Sequence, residues 1–578
     1  MKLNFKYLIA AGIVGIVAFN SCSKKIDEAY SNPNAAIEQP IEQIFPSLIG
    51  SLTGSSSAAG SAYGQCGDAL LIGRYIQSWG SYVASSTDNF GGFYDKMAGV
   101  VGASDNMGSM WAAHYYGMGQ NLNRVIEWGM RDQKWDFVGA AWALRAWTLF
   151  ECTNQYGEMI LKEAFNTNLQ QFHYDSQEEI YDSVRIICRR AVNFLSMTGG
   201  GMDPTKFAAS DFYFNKGSLD RWKKFAYGIL ARSYAYISNK ASYSADSVVK
   251  YCNLSLSTND DNATAKFQST GITGTSNYYG TARGNVNNST SGTAIRQTAF
   301  IADLMSGANT LAFPGVGDPR AWYLLRGNLY GTIRGFSPSW STAINPPLID
   351  SLKPESFVGT PYATVGYTGV GVLVPGVLTT NGTAGKYIFR DEAEFPIMTA
   401  SEIAFLKAEA LVRKGDYAGA KTAYVNGIGL NFDMLKTKYN VNIPAGKAID
   451  DAVRDAYLSN PVVVPVTPTA ANMTLTKVML QKYIAMYAWG VHDTWADMRR
   501  YHYSDPDPAT SQQVYAGFKV PSGVDLNSLT GNNNGKLVYR TRPRYNSEYL
   551  YNIPALTLIG AYPVGNDYHT KECWFSKP

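Results

Sequence analysis

TASEIAFLKAEALVRKGDYAGAKTAYVNGI, residues 399–428, holds two helices and the turn between them. Ile403, Leu406 and Ala410 fall on one side of a helix, Gly415 ends it, and Ala418 to Tyr424 begin another. A seam of small residues, Ala408, Ala410, Ala418 and Ala420, lets two antiparallel helices approach closely, in the manner of a tetratricopeptide-like pair. If the rest of the chain repeats this arrangement, the fold is a scaffold of helical hairpins.

The pattern recurs upstream. In DFVGAAWALRAWTLFECTNQYG (136–157), Trp142, Ala146, Leu149, Phe150 and Thr153 stand at helical spacing and Gly157 supplies a stop. SQEEIYDSVRIICRRAVNFL (176–195) opens on Ser176 with Glu179 three residues later, a capping-box spacing, and sets Ile180, Val184, Ile187 and Val192 along one side. SLDRWKKFAYGILARSYAYIS (218–238) lines up Trp222, Phe225, Ile229 and Tyr236. Downstream, TKVMLQKYIAMYAWGVHDTWADMRRYHY (476–503) reads as one long helix with Met479, Tyr483, Met486, Tyr487 and Gly490 on a core face.

Between these blocks the composition changes. From about residue 253 to 391 the chain is rich in Gly, Ser, Thr, Asn and Pro, as in QSTGITGTSNYYGTARGNVNNSTSG (268–292) and RGFSPSWSTAINPPLID (334–350). That is too long for a simple connection, and its aromatic residues predict an ordered, functional insertion. The final stretch from about Ser504 is again loop-rich, with Pro506, Pro508, Pro521 and Pro543.

The N-terminus carries an address. Lys2 and Lys6 precede an apolar run from Tyr7 to Phe19, and Asn20 and Ser21 lead to Cys22. This is the layout of a secretory signal, too short for an ordinary transmembrane helix of roughly 20 apolar residues. Ser21-Cys22 resembles the bacterial lipoprotein signal, in which the cysteine is lipidated and becomes the first residue of the mature protein. A plain signal peptide with a bystander cysteine is the alternative. The segmentation expected is a signal over 1–21, a flexible tether over 22–43 and one helical domain over 44–578, its hairpins at about 105–252 and 396–503.

The 578 residues are 46% hydrophobic and 13% aromatic, ample for a sizeable core. With 50 basic against 46 acidic residues, the net charge of +4 gives no argument for nucleic acid. After Cys22 come Cys66, Cys152, Cys188, Cys252 and Cys573, an odd number without repeated spacing; no disulfide framework or zinc site is indicated, although one disulfide stays open.

These segments, in this order, resemble the SusD/RagB family of outer-membrane lipoproteins of the Bacteroidetes. The matching pieces are IDEAYSNPNA, LRAWTLFECTNQYGEMILKEA, SQEEIYDSVRIICRRAVNFL, LDRWKKFAYGILARSYAYIS, GDPRAWYLL, SEIAFLKAEALVRKGDYAGAKTAYVNGI, LQKYIAMYAWGVHDTWADMRR and RTRPRYNSEYLYN. The resemblance implies a mostly α fold, four tetratricopeptide-like pairs with the loop-rich insertion packed against them. It also implies a non-catalytic task without a cofactor. A lipid-anchored protein on the outer face of the outer membrane captures an oligosaccharide, or in some members a peptide, and closes as a lid over a SusC-like TonB-dependent transporter. Ligand contacts vary within that family, so none is carried over from a motif.

Sugars offer apolar C–H faces and many hydroxyls, so a glycan site pairs aromatic platforms with polar side chains. SWGSYVASSTDNFGGFYDK (78–96) brings together Trp79, Tyr82, Asp88, Asn89, Phe90, Phe93 and Tyr94. SNYYGTARGN (276–285) offers Tyr278, Tyr279, Arg283 and Asn285, and Trp340 in SPSWST is a third candidate. For each, the competing reading is an aromatic loop packed on the helices. STNDDNATA (257–265), with Asp260 and Asp261, lacks EF-hand spacing and reads as a solvated turn. His492, Asp493 and Asp497 lack an HExxH context and read as helix-surface ion pairs with Arg499 or Arg500, Glu402 and Glu409 as structural, and Asp318 as the cap of a turn. No metal site follows. A secreted glycoside hydrolase, the rival class, would need two carboxylates roughly 5–9.5 Å apart, and no carboxylate stands in such a context. A helical-repeat scaffold that binds only proteins would explain the hairpins but not the aromatic insertion.

Overall fold

The structure, a computed structural model, describes residues 38–54, 64–81, 107–268, 276–280, 295–327, 332–335, 386–520, 533 and 535–578. In chain order come α1 (Ile41–Gly50), α2 (Gln65–Tyr75), β1 (Trp79–Ser81), α3 (Ser109–Ala112), which runs through a π-helical turn at Ala113–Gly119 into α4 (Gln120–Arg131), and α5 (Trp135–Tyr156). Then follow α6 (Gln177–Phe194), α7 (Pro204–Ser210), α8 (Leu219–Ala235), α9 (Ala245–Leu254), β2 (Ala263–Ala265), β3 (Ile295–Gln297), α10 (Ala299–Ser306) and α11 (Ala321–Leu324). The last part holds β4 (Phe395–Met398), α12 (Ala400–Lys414), α13 (Tyr417–Lys438), α14 (Asp451–Leu458), α15 (Leu475–Ala485), α16 (Val491–Arg500) and α17 (Ile553–Leu558). β1 pairs antiparallel with β3, and β2 with β4. The protein is mostly α, with a tetratricopeptide-like arrangement of hairpins.

Local chemistry sets the helix ends. Ser176 and Glu179 form the expected capping box at the start of α6, and the side chains of Ser218, Ser244, Thr399, Asp416 and Thr474 cap five other helices. Gly415 closes α12 at φ 83°, a left-handed conformation that suits glycine. α12 and α13 then pack as the sequence predicts, with one change. Ala418 faces solvent, and the seam is completed instead by Ala423 and Gly427, where an added Cβ would lie 3.0 Å from the Phe405 ring. α5 and α6 also run antiparallel: Tyr181 donates to Asn154 at one end (2.6 Å), and Gly139 admits Leu195 at the other.

Two stretches depart from the sequence reading. The segment 476–503 is not one helix: the chain breaks at Met486–Gly490, with Ala488 at φ 69° and Trp489 turned back to donate to the Ala485 carbonyl. Its core face is nonetheless as expected, since Met479, Tyr483, Met486 and Tyr487 are all buried. At the other end, α1 begins at Ile41, inside the stretch read as tether. Phe45 seats it edge-on against Phe137, Phe207 and Trp222, and Glu42 pairs with Lys134 at 2.8 Å.

The frame closes around a buried ionic core. Arg232 of α8 meets Glu151 of α5 (2.8 Å), Glu402 of α12 (2.7 Å) and Asp493 of α16 (3.1 Å), and is fully buried. Next to it, Lys482 pairs with Asp497 at 2.7 Å, and Arg500 with Asp497 at 2.5 Å and Glu409 at 2.8 Å. Of the helix-surface ion pairs expected for Asp493 and Asp497 with Arg499 or Arg500, only Asp497–Arg500 forms, and it forms in the interior because α16 is covered on every side; Asp493 pairs with Arg232 of α8 instead, Arg499 donates to the Asn154 and Tyr539 carbonyls, and Glu402 and Glu409 are structural as read. Burial raises the Glu151 carboxyl well above the usual range, and Asp493 to about 6 despite Arg232. Burial also works to raise Glu409, but Arg500 overrides it and holds that carboxyl low. Asp318 likewise does more than end a turn: it grips the buried Arg320 guanidinium at 2.6 Å, which also meets Asn431 and Gln481. Asp261, read as solvated, is buried and accepts from the Ser257 and Thr258 backbone and from Lys224. All five cysteines after Cys22 are buried and unpaired with one another.

Buried histidines give this interior a measurable pH response. Burial lowers His492 to about 3; its Nε2 lies 3.0 Å from Gln155 Oε1, and its Nδ1 has no partner. Unfolded, it would titrate near 6.5, so stability present above that pH is lost as pH falls towards the folded value. Asp493 and Asp211, raised by burial to about 6 and about 7, act oppositely and lose stability as pH rises from their unfolded values. A difference against His492→Gln isolates the histidine. In urea titrations at pH 7, 6 and 5, the variant's deficit should shrink by about 1.4 kcal/mol per pH unit once below 6. A constant deficit would show that His492 does not stay neutral in the fold.

Candidate functional site

Two cavities stand out among the described residues; the larger of the pair, about 660 Å³, lies between α9, α12 and α13 and has no aromatic ring in its wall. The other, about 380 Å³, lies beside the α5/α6 hairpin and has the composition of a ligand site. Helical spacing builds two of its walls. Trp142, Arg145 and Leu149 fall at i, i+3 and i+7 on α5, and Ser183, Ile186, Ile187 and Arg190 at i, i+3, i+4 and i+7 on the facing side of α6. The third wall comes from His114 on the π-helical turn, Asn123 on α4, and the loop that carries Ile160 and Phe165.

That third wall is unusual backbone. π-Helical turns often mark functional sites, and here the turn ends on Gly119, where an added Cβ would stand 2.2 Å from the Phe165 ring. Phe165 itself holds φ 66°, a costly conformation for a bulky residue. Its ring leans on His114 and Tyr115 and lies under the Arg145 guanidinium, 5.1 Å from ring centroid to Cζ. Across the groove, Arg190 covers the Trp142 ring at 4.7 Å.

The charges here are one-sided. Arg145 donates from Nη2 to the Gly119 carbonyl (3.0 Å) and to Asn123 Oδ1 (2.7 Å), both neutral, while its enclosed Nε has no acceptor. Burial lowers this guanidinium to about 10. His114, buried and beside Arg145, falls to about 3 and is neutral; its Nδ1 lies 3.0 Å from Thr148 Oγ1. Among the described residues, no carboxylate pairs with Arg145 or Arg190.

The candidates read from sequence fall elsewhere. Trp79 is buried, its indole N–H donating to the Leu70 carbonyl at 2.9 Å and its ring edge-on to Tyr279. Tyr278 and Tyr279 are buried as well, Tyr279 against Phe389 and Phe395. For these three the packed reading describes the structure: they join the insertion to the helices and present no open ring face. Tyr82, Asp88, Asn89, Phe90, Phe93, Tyr94, Arg283, Asn285 and Trp340 lie outside the described residues, as does Cys22. Sequence reasoning passed over the groove because Trp142 was placed with the core stripe of α5. The available signal was cationic residues at helical spacing, Arg145 from Trp142 and Arg190 from Ser183, on two consecutive helices.

The sequence profile of the SusD-like family, described as starch-binding associating with outer membrane, matches residues 85–323 and 355–522. This is well over half of the chain, and the protein belongs to that family. No curated protein matches it. Among solved structures, a SusD homolog from Bacteroides fragilis NCTC 9343 superposes with a TM-score of 0.64 at 17% identity, covering 93% of this chain and 100% of its own. A SusD/RagB family protein from Bacteroides thetaiotaomicron VPI-5482 gives 0.61 at 18%, with coverage of 93% and 99%. A chitin-binding SusD homolog from Flavobacterium johnsoniae gives 0.58 at 16%, with coverage of 93% and 98%. At these identities the likeness establishes the fold.

Proposed function

We propose that the protein is a cell-surface nutrient-binding lipoprotein that captures an oligosaccharide without cleaving it and delivers it to a SusC-like TonB-dependent transporter, acting as its lid. The observation that carries this reading is the family match over both helical blocks and much of the insertion. The lipoprotein-like signal ending at Cys22 agrees with it, and no helix among the described residues is long and apolar enough to cross a membrane. The carboxylates clustered around Arg232 and Arg500 are committed to ion pairs, which argues against a hydrolase built on them. Remaining contacts are sought in the aromatic stretches around Tyr82–Tyr94, Arg283 and Trp340.

A binding assay tests the reading. The mature protein, incubated with neutral plant and host oligosaccharides and with peptides, should bind at least one saccharide while leaving its chain length unchanged by chromatography. New reducing ends would point to the hydrolase reading, and binding confined to peptides would move the ligand class. Purification from detergent-solubilised outer membranes should bring down a large β-barrel; recovery of the protein alone would remove the lid role.

A further inference from the structure

We propose that the groove between α5 and α6 holds an anionic sugar, a ring that carries a carboxylate or a sulfate ester. This rests on the oligosaccharide-binding reading above and specifies the chemistry of one subsite.

Two guanidiniums, Arg145 and Arg190, line a cavity of about 380 Å³ whose wall contains no acidic residue. An exposed arginine without a partner is ordinary, and Arg190 alone would mean little. Arg145 is different: it is largely enclosed, its Nε has no acceptor, and its only bonds go to a backbone carbonyl and an amide oxygen. A buried cation is normally paired, because removing it from water without an opposite charge is costly. Here the fold pays that cost beside an open cavity, so an anion entering the groove meets a preformed, partly desolvated donor.

The surroundings fit a sugar better than a bare ion. Trp142 and Phe165 supply flat apolar surface, and Asn123 and Ser183 add hydroxyl partners. The cavity suits one or two sugar rings. Arg190 is exposed and can leave the Trp142 face to pair with the ligand, uncovering the indole for C–H contact.

The test uses the mature protein and isothermal titration with three ligand sets: oligogalacturonides, sulfated galactose disaccharides, and neutral galacto-oligosaccharides of matched length. At least one anionic set should bind ten-fold or more tightly than its neutral counterpart, and the two anionic arms separate carboxylate from sulfate. Arg190→Gln should weaken that binding about ten-fold, the scale of one charge-assisted hydrogen bond. Ser183→Trp, which fills the groove from its rim, should abolish it, and thermal melts confirm that both variants are folded. Equal affinity for neutral and anionic sugars would overturn the proposal, as would anionic binding untouched by either variant. A protein that binds neutral glycans but ignores both anionic sets sinks this inference alone. One that binds no saccharide at all sinks the proposed function with it.

Discussion

Replacing Arg232 with methionine should destabilise the protein by about 3–5 kcal/mol, the usual penalty for removing one partner of a buried ion pair. Methionine keeps the apolar stem of the side chain and removes the guanidinium head, so the loss is mainly electrostatic, with a smaller packing contribution from the vacated head. What remains is Glu151, Glu402 and Asp493 facing one another, each nearly sealed from water. Their only relief is protonation. Burial already raises Glu151 and Asp493 with the guanidinium present, and without it they should rise further. A group raised in the fold contributes stability that is lost as pH climbs, so the deficit should be larger at pH 8 than at pH 5.5. Urea titrations at these two pH values decide the matter. A deficit below 1 kcal/mol, or one that does not grow with pH, would mean that the Arg232 cluster is not what joins α5, α8, α12 and α16.

Changing Cys22 to serine should release the protein from the membrane entirely. Each buried CH₂ of an acyl chain contributes about 0.8 kcal/mol, and stable anchoring takes more than one chain. If that sulfur carries the anchor, one substitution removes all of it. Fractionation should be done in cells that lack the transporter, so that docking does not mimic anchoring. Unchanged sedimentation with membranes would reject the lipid and favour the plain signal peptide.

How legible the molecule was from its sequence depended on the range of the interactions. The end of α12 at Gly415, the Ser176 cap and the stop at Gly157 are decided within a few residues, and all were readable. So was the core face of α8, since Trp222, Phe225, Ile229 and Tyr236 repeat at the helical period. The break at Met486–Gly490 was not, because the apolar pattern runs through it unbroken and only tertiary packing stabilises Ala488 at positive φ. Asp493 and Asp497 misled for a related reason: polar residues on a helix read as its wet side, and nothing local announces Arg232, 261 positions before Asp493. Trp79 and Tyr279 look alike whether they face solvent or each other. The groove required several separate segments to meet, α5, α6, the π-helical turn with α4, and the Phe165 loop, and spacing within one helix reports on only one of them.

The seating of α1 also bears on how far the protein can move. Phe45 and the Glu42–Lys134 pair bind the chain to the helical body from about residue 41, and Glu38 reaches Arg131 at 2.9 Å. If Cys22 is held in a bilayer, the leash is the 16 steps from there to Glu38, at most about 55 Å at the full reach of an extended chain. The body could then stand no farther than that from the membrane, a limit that under the proposed lid role would hold it beside the transporter.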